Sequence, residues 1–199
     1  MEVGDTESIN INILKKNMPV NATNDKFGWI APDFNLLDVS GNKLSLNEIS
    51  GSNGTVIAFI CNHCPYVIAI AERLNKEAKE LSKLSINTIA IMSNDVIQYP
   101  DDSYENMKLF ANNYDFIFPY LFDESQEVAK QYGAVCTPDI FGFNNKNLLC
   151  YRGRIDSGVM NSEQKKIDRE LYNAMVKIKN DGIGPDKQLN SFGCSIKWK

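Results

Sequence analysis

Thr55-Val56-Ile57-Ala58-Phe59-Ile60-Cys61-Asn62-His63-Cys64-Pro65-Tyr66 is the stretch on which the fold of this chain turns. Residues 55–60 are an unbroken apolar and β-branched run, the pattern of a strand covered on both faces. Beyond Pro65 the period changes. Val67, Ile70, Ala71, Leu74, Ala78 and Leu81 recur at threes and fours, which predicts an amphipathic helix over residues 64–83. A second buried strand follows at residues 86–92. Strand, helix, strand in that order implies a parallel pair joined by a crossover helix, so the fold class is α/β.

Working outward, residues 34–38 and 43–46 flank Ser40-Gly41-Asn42 and read as an N-terminal β-hairpin. Residues 93–114 form a polar excursion, a helical insertion with its helix at 104–112. A short strand is expected at 120–122, then a helix over 124–132 ended by Gly133. Residues 140–143 and 148–152 flank Asn144-Asn145-Lys146-Asn147 as a second hairpin. A closing helix over 162–179 would bury Ile167, Leu171, Met175 and Ile178. The result is a central mixed β-sheet flanked by helices on both faces. Residues 1–26 read as an irregular lead-in, 27–180 as the domain, and 181–199 as a tail packing on it through Phe192, Ile196 and Trp198.

A chain of 199 residues, 43% apolar and 23% charged, suits one globular domain. A net charge of −4 argues against nucleic acid, and the one basic cluster is Lys197-Trp198-Lys199. The longest apolar runs, 55–60 and 67–71, fall far short of the roughly 18 residues a membrane span needs, so no membrane is expected. Met1-Glu2-Val3-Gly4-Asp5 has acids where a secretory leader has lysines, so a cytoplasmic location is expected. Five cysteines there point to redox or metal chemistry rather than a structural disulfide framework.

Cys64 draws three features together. It lies past the carboxyl end of a buried strand, where α/β folds place their sites. Pro65 suits the first helical position, making Cys64 the N-cap. A thiolate there faces unpaired backbone N–H groups and the positive end of the helix dipole, both of which lower a thiol pKa. His63, the single histidine, adds a partial positive charge beside it. Cys61 completes a Cys-x-x-Cys pair. Half a zinc site has that spacing too, but a second pair is missing and a metal would have to recruit Cys136, Cys150 or Cys194. No metal and no cofactor are therefore expected. Cys150 reads as inert core, and Arg152 and Arg154 as surface charges.

Ala31-Pro32-Asp33-Phe34-x-Leu36, the Gly41 hairpin, the strand ending at Phe59 and the later Cys136-Thr137-Pro138 resemble the redoxin branch of thioredoxin-like proteins, with its alkyl hydroperoxide reductase, thiol-specific antioxidant and disulfide-reductase lineages. Residues 59–66, 132–139 and the ending Gly193-Cys194-Ser195-Ile196-Lys197-Trp198-Lys199 resemble more narrowly a group of peroxiredoxin-like proteins. The resemblance implies a thioredoxin-like fold and a thiol-disulfide oxidoreductase or antioxidant redox protein, with a peroxiredoxin-like thiol peroxidase as the alternative. A non-catalytic binding or metal-holding module is a third reading. The substrate would be a protein or small-molecule disulfide or a peroxide, and the reducing partner thioredoxin or glutathione; a homodimer is compatible with it.

The resemblance also sets the register. Five positions from the strand phenylalanine lead to Cys64, with Val67 in the second cysteine's place and Cys61 as an extra thiol. The gapped alternative makes Cys61 and Cys64 the ordinary redox pair, but it puts Pro65 where a helix wants its N–H. Cys64 is thus the expected nucleophile, with Cys61 or Cys136 resolving. Cys194 matches a C-terminal resolving thiol by position alone. The resemblance further implies that Pro138 is cis and beside the nucleophile, with Thr137 and Pro138 docking substrate, and that His63 and Pro65 modulate the thiol. Two departures stand out. Ala58 replaces the buried acid of thioredoxins. Cys61 and Thr137-Pro138 stand where peroxiredoxins carry a threonine and an arginine.

Overall fold

A computed structural model of the chain describes residues 19–22, 27–160 and 167–199. In chain order the elements are β1 (Pro19–Asn21), β2 (Asn35–Asp38), β3 (Lys43–Ser45), α1 (Leu46–Ile49), β4 (Gly54–Phe59), α2 (Pro65–Ser82) and β5 (Ile86–Met92). A 3₁₀ turn (Pro100–Asp102), α3 (Tyr104–Asn113), β6 (Tyr120–Phe122), α4 (Glu127–Tyr132) and β7 (Cys136–Thr137) follow. Then come β8 (Asp139–Phe143), β9 (Leu149–Gly153), α5 (Glu170–Asp181) and β10 (Phe192–Ser195).

Seven strands form a mixed sheet in the order β3-β2-β6-β5-β4-β8-β9. β4 runs parallel to β5 and antiparallel to β8, so it is an interior strand, buried along its whole length. Alternation along β4 assigns its side chains to two cores. Val56 and Ala58 meet one cluster, with Leu74 and Leu81 of α2 and Leu171 and Met175 of α5. Ile57 and Phe59 meet the other, with Leu46 of α1, Val128 and Tyr132 of α4, and Phe141. Truncating a fully buried Leu74 or Leu171 to alanine costs about 2–5 kcal/mol in such a setting.

A second, small sheet has the order β1-β10-β7, with both pairings antiparallel. It carries the C-terminus back across the end of the main sheet and sets Cys194 opposite Thr137. Part of the expected lead-in is therefore ordered: Pro19–Asn21 is a strand because β10 offers it an edge.

Further expectations are corrected. The closing helix begins at Glu170, and residues 162–166 lie outside the described residues. Ile167 precedes the helix because its neighbour Asp168 is held instead by Ser157: the Ser157 N–H donates to the Asp168 carbonyl at 3.1 Å and the Asp168 N–H to Ser157 Oγ at 2.8 Å. The helix expected from residue 124 starts at Glu127, because Gln126 is left-handed (φ 65°) and the Asp123 carboxylate caps from a distance, accepting the Ala129 N–H at 2.9 Å. Arg152 and Arg154 are not surface charges. Arg152 pairs with the fully buried Asp139 at 2.8 Å and Arg154 with Glu170 at 2.6 Å. Cys150 is half-buried rather than core, with burial still pushing its thiol up. In the tail Ile196 is buried, while Phe192 and Trp198 keep over a third of their surface in solvent. Among the described residues no helix is long and apolar enough to cross a membrane.

Candidate active site

β4 ends at Phe59, and six residues later Pro65 opens α2 with Cys64 as its N-cap in extended conformation (φ −72°, ψ 121°). The Cys64 carbonyl accepts the N–H groups of Val67 and Ile68, each at 3.0 Å, which fixes the turn that presents the thiol. Across from it, β7 runs into β8 through a cis Thr137–Pro138 bond. Cys64 Sγ stands 3.2 Å from the Thr137 carbonyl oxygen and 3.0 Å from Cys194 Sγ. Cys61 Sγ lies 3.2 Å from Thr137 Oγ1.

The Cys61 and Cys64 thiols thus converge on one threonine, with the Cys194 thiol against Cys64, and their ionisation is shared unequally. Hydrogen bonding with the Cys194 thiol, and next with Cys61, holds the Cys64 thiol well below its ordinary range, against the opposing effect of burial. Backbone N–H groups of Cys194 and Val67 add smaller shares. Burial, then the hydrogen bond to Cys64, pushes Cys61 up, and the hydrogen bond to Cys64 followed by burial pushes Cys194 up. Of the three thiols, Cys64 is the one whose surroundings lower its pKa, and Cys61 and Cys194 are raised.

Cys136 sits in the same strand as Thr137, but its Sγ rests on the Pro138 carbonyl at 3.6 Å, and burial pushes its thiol up. Asp139, next after the cis proline, has no solvent contact; its pairing with Arg152 fixes the β8–β9 hairpin behind the site.

The loop of Cys61 to Cys64 hangs on a residue not singled out in the sequence. Asp102, wholly buried at the end of the 3₁₀ turn, accepts the Asn62 N–H and the Asn94 side-chain amide, each at 2.8 Å. His63 Nδ1 lies 2.8 Å from the same carboxylate in a close charge pairing rather than an aligned hydrogen bond, and its ring stacks on Tyr99. Tyr120 donates to Asn62 Oδ1 at 2.9 Å. Lys197, from the tail, is also buried here, its ammonium 5.5 Å from the Tyr99 ring. Nothing in the spacing marks Asp102 or Lys197, since both reach the site through long-range packing.

Cys61, His63 and Asp102 bring donor atoms within 4.8 Å of one another. The Asp102 oxygens are already occupied by Asn62, Asn94 and His63, so a metal would have to strip the loop of its support.

Residues 27–155 match the model of the AhpC/TSA family. The chain belongs to the AhpC/TSA family. Within the thioredoxin-like redoxin superfamily it is similar to the thioredoxin-like protein YneN of Bacillus subtilis (strain 168), with 27% identity over 125 residues, 61% of this chain and 68% of that one. An uncharacterized conserved protein from Geobacillus kaustophilus superposes with a TM-score of 0.86 at 40% identity, over 92% of this chain and 97% of its own. The thioredoxin domain of a thiol-disulfide oxidoreductase from Bacteroides vulgatus superposes at 0.61 with 17% identity, over 78% of this chain and 99% of that domain, a likeness of fold. In this AhpC/TSA chain the fold is therefore thioredoxin-like, and the thiol cluster lies between the start of α2 and the cis proline.

Proposed function

We propose that this AhpC/TSA chain is a thiol-disulfide oxidoreductase in which Cys64 attacks a disulfide of a small molecule or protein, and that a cytoplasmic thiol system such as thioredoxin or glutathione returns it to the reduced state. The observation that carries the reading is the placement of Cys64: a helix N-cap thiol facing the cis-proline loop, with the Cys194 thiol 3.0 Å away. Only the thiolate is a nucleophile in this exchange, and this environment favours it. A cleft of about 220 Å³ beside the proline, walled by Tyr66, Ile70, Pro138, Ile155 and Phe192, offers a substrate an apolar wall. A disulfide substrate fits better than a peroxide, because Arg152 and Arg154 are committed to Asp139 and Glu170.

The test is the rate of iodoacetamide alkylation across pH on the reduced protein, Cys61→Ser and Cys64→Ser. Wild type and Cys61→Ser keep one thiol that reacts well below the free-thiol pKa of about 8.5. Cys64→Ser loses it. A fast thiol that survives in Cys64→Ser and disappears in Cys61→Ser assigns the nucleophile to Cys61.

A further inference from the structure

The C-terminal strand occupies a position that matters to the site it touches. β10 pairs antiparallel with β7, placing Cys194 opposite Thr137 and Ser195 opposite Cys136. The pairing uses the backbone edge next to the cis proline, the same edge an extended chain would need to approach Cys64. The fit is close at Gly193: a Cβ there would stand 2.0 Å from the Thr137 carbonyl oxygen and 3.0 Å from Pro138 Cδ. Both flanks of β10 are anchored. Ser191 Oγ donates to the Gly153 carbonyl at 2.7 Å, and the Ile196 N–H to the Val135 carbonyl at 3.0 Å. Phe192 lies edge-on to Tyr66, with ring centroids 5.1 Å apart.

Two consequences follow from the burial. Cys64 has 0% of its surface exposed, so a substrate reaches it only when the covering segment lifts. Cys194, carried by that segment, returns to 3.0 Å from Cys64 Sγ whenever the segment closes.

We infer that β10 is a built-in stand-in for a substrate strand: it covers Cys64 at rest and delivers Cys194 as the resolving thiol, so that the oxidised protein carries a Cys64–Cys194 disulfide. This rests on the reading of Cys64 as nucleophile. In the first step the Cys64 thiolate attacks one sulfur of a substrate disulfide R–S–S–R′. An S–S bond forms between Cys64 and R–S, the S–S bond to R′ breaks, and R′–S⁻ leaves and takes up a proton. In the second, Cys194 loses its proton to solvent and its sulfur attacks Cys64 Sγ. The Cys64–Cys194 bond forms, R–S⁻ leaves and is protonated, and the substrate has gained two electrons from the two cysteines. A dithiol, or two equivalents of a monothiol, reverses the change. Cys61 is left outside the exchange, its sulfur 3.2 Å from Thr137 Oγ1.

The experiment treats the reduced full chain with one equivalent of glutathione disulfide, counts the glutathione released, and maps disulfide-linked peptides by mass. Wild type and Cys61→Ser release two equivalents and carry the Cys64–Cys194 link. Cys194→Ser stops at a Cys64–glutathione adduct with one equivalent released, the second slowed by about a hundredfold or more with the neighbouring thiol gone. A Cys61–Cys64 link in wild type, or full release from Cys194→Ser at an unchanged rate, overturns the inference while leaving Cys64 as the nucleophile. An adduct on Cys61 in place of Cys64 overturns both readings. Circular dichroism on each variant establishes that the serine chains are folded.

Discussion

Asp102 is a carboxylate with no solvent contact, and its oxygens hold the turn that carries both Cys61 and Cys64. A buried charge persists only with partners around it: Asn62 and Asn94 donate hydrogen bonds to it, and His63 lies against it as a charge partner. The consequence for His63 is a proton affinity above its usual range, caused first by the Asp102 carboxylate and opposed by burial. A negative charge on Cys64 pulls the same way, so the imidazolium and the thiolate support each other. Because the folded-state pKa is raised, the stabilisation from His63 is fully present below about 6.5 and is lost as pH rises through the folded value. His63→Gln is therefore expected to be destabilised most at acid pH, with the difference from wild type closing as pH rises. In an NMR titration the His63 resonances should turn over above pH 6.5 in wild type, and lower in Asp102→Asn. A wild-type midpoint at or below the free value means the pairing is too weak to govern the histidine.

Among the elements, β4 and α2 were legible from the chain alone, because residues 55–60 and the three-four spacing after Pro65 each have one physical reading. The hairpin strands β2, β3, β8 and β9 were legible from their turn residues. The 3₁₀ turn bearing Asp102 and the strand β10 were not. Both are short and polar or glycine-containing, and their conformation is decided by partners far along the chain. The three thiols show the same divide: Cys61 and Cys64 share a motif, whereas Cys194 meets them only through the β10–β7 pairing, 130 residues away from Cys64. Gly193 is the residue on which that pairing depends. Gly193→Ala places a methyl against the Thr137 carbonyl, and β10 must shift away from β7. The expected outcome is faster alkylation of Cys64, by several-fold at fixed pH, together with slower formation of the Cys64–Cys194 link. Unchanged rates for both reactions would show that access to Cys64 is not controlled by β10.

At the scale of the molecule, the small β1-β10-β7 sheet fastens residues 19–21 and the C-terminal strand to the edge of the site, so the redox state of one cysteine pair bears on the whole fold. A cross-link stabilises chiefly by restricting the unfolded chain, and more so for longer loops. Bridging Cys64 to Cys194 closes a loop of 130 residues, which the chain-entropy relation values at about 5 kcal/mol before any native strain. Bridging Cys61 to Cys64 closes only a few residues and is worth about 2 kcal/mol on the same relation. For a domain of this size each 1 kcal/mol moves the melting temperature by about 2–4 °C. The oxidised wild-type protein is therefore expected to melt roughly 10 °C or more above the reduced form. Cys194→Ser should show almost none of that shift under the same oxidant, and Cys61→Ser should retain it. Paired thermal scans by circular dichroism, with and without a dithiol reductant, read the difference directly. A small rise that survives in Cys194→Ser and vanishes in Cys61→Ser would place the redox bond in the Cys-x-x-Cys loop, leaving β10 as a cover alone.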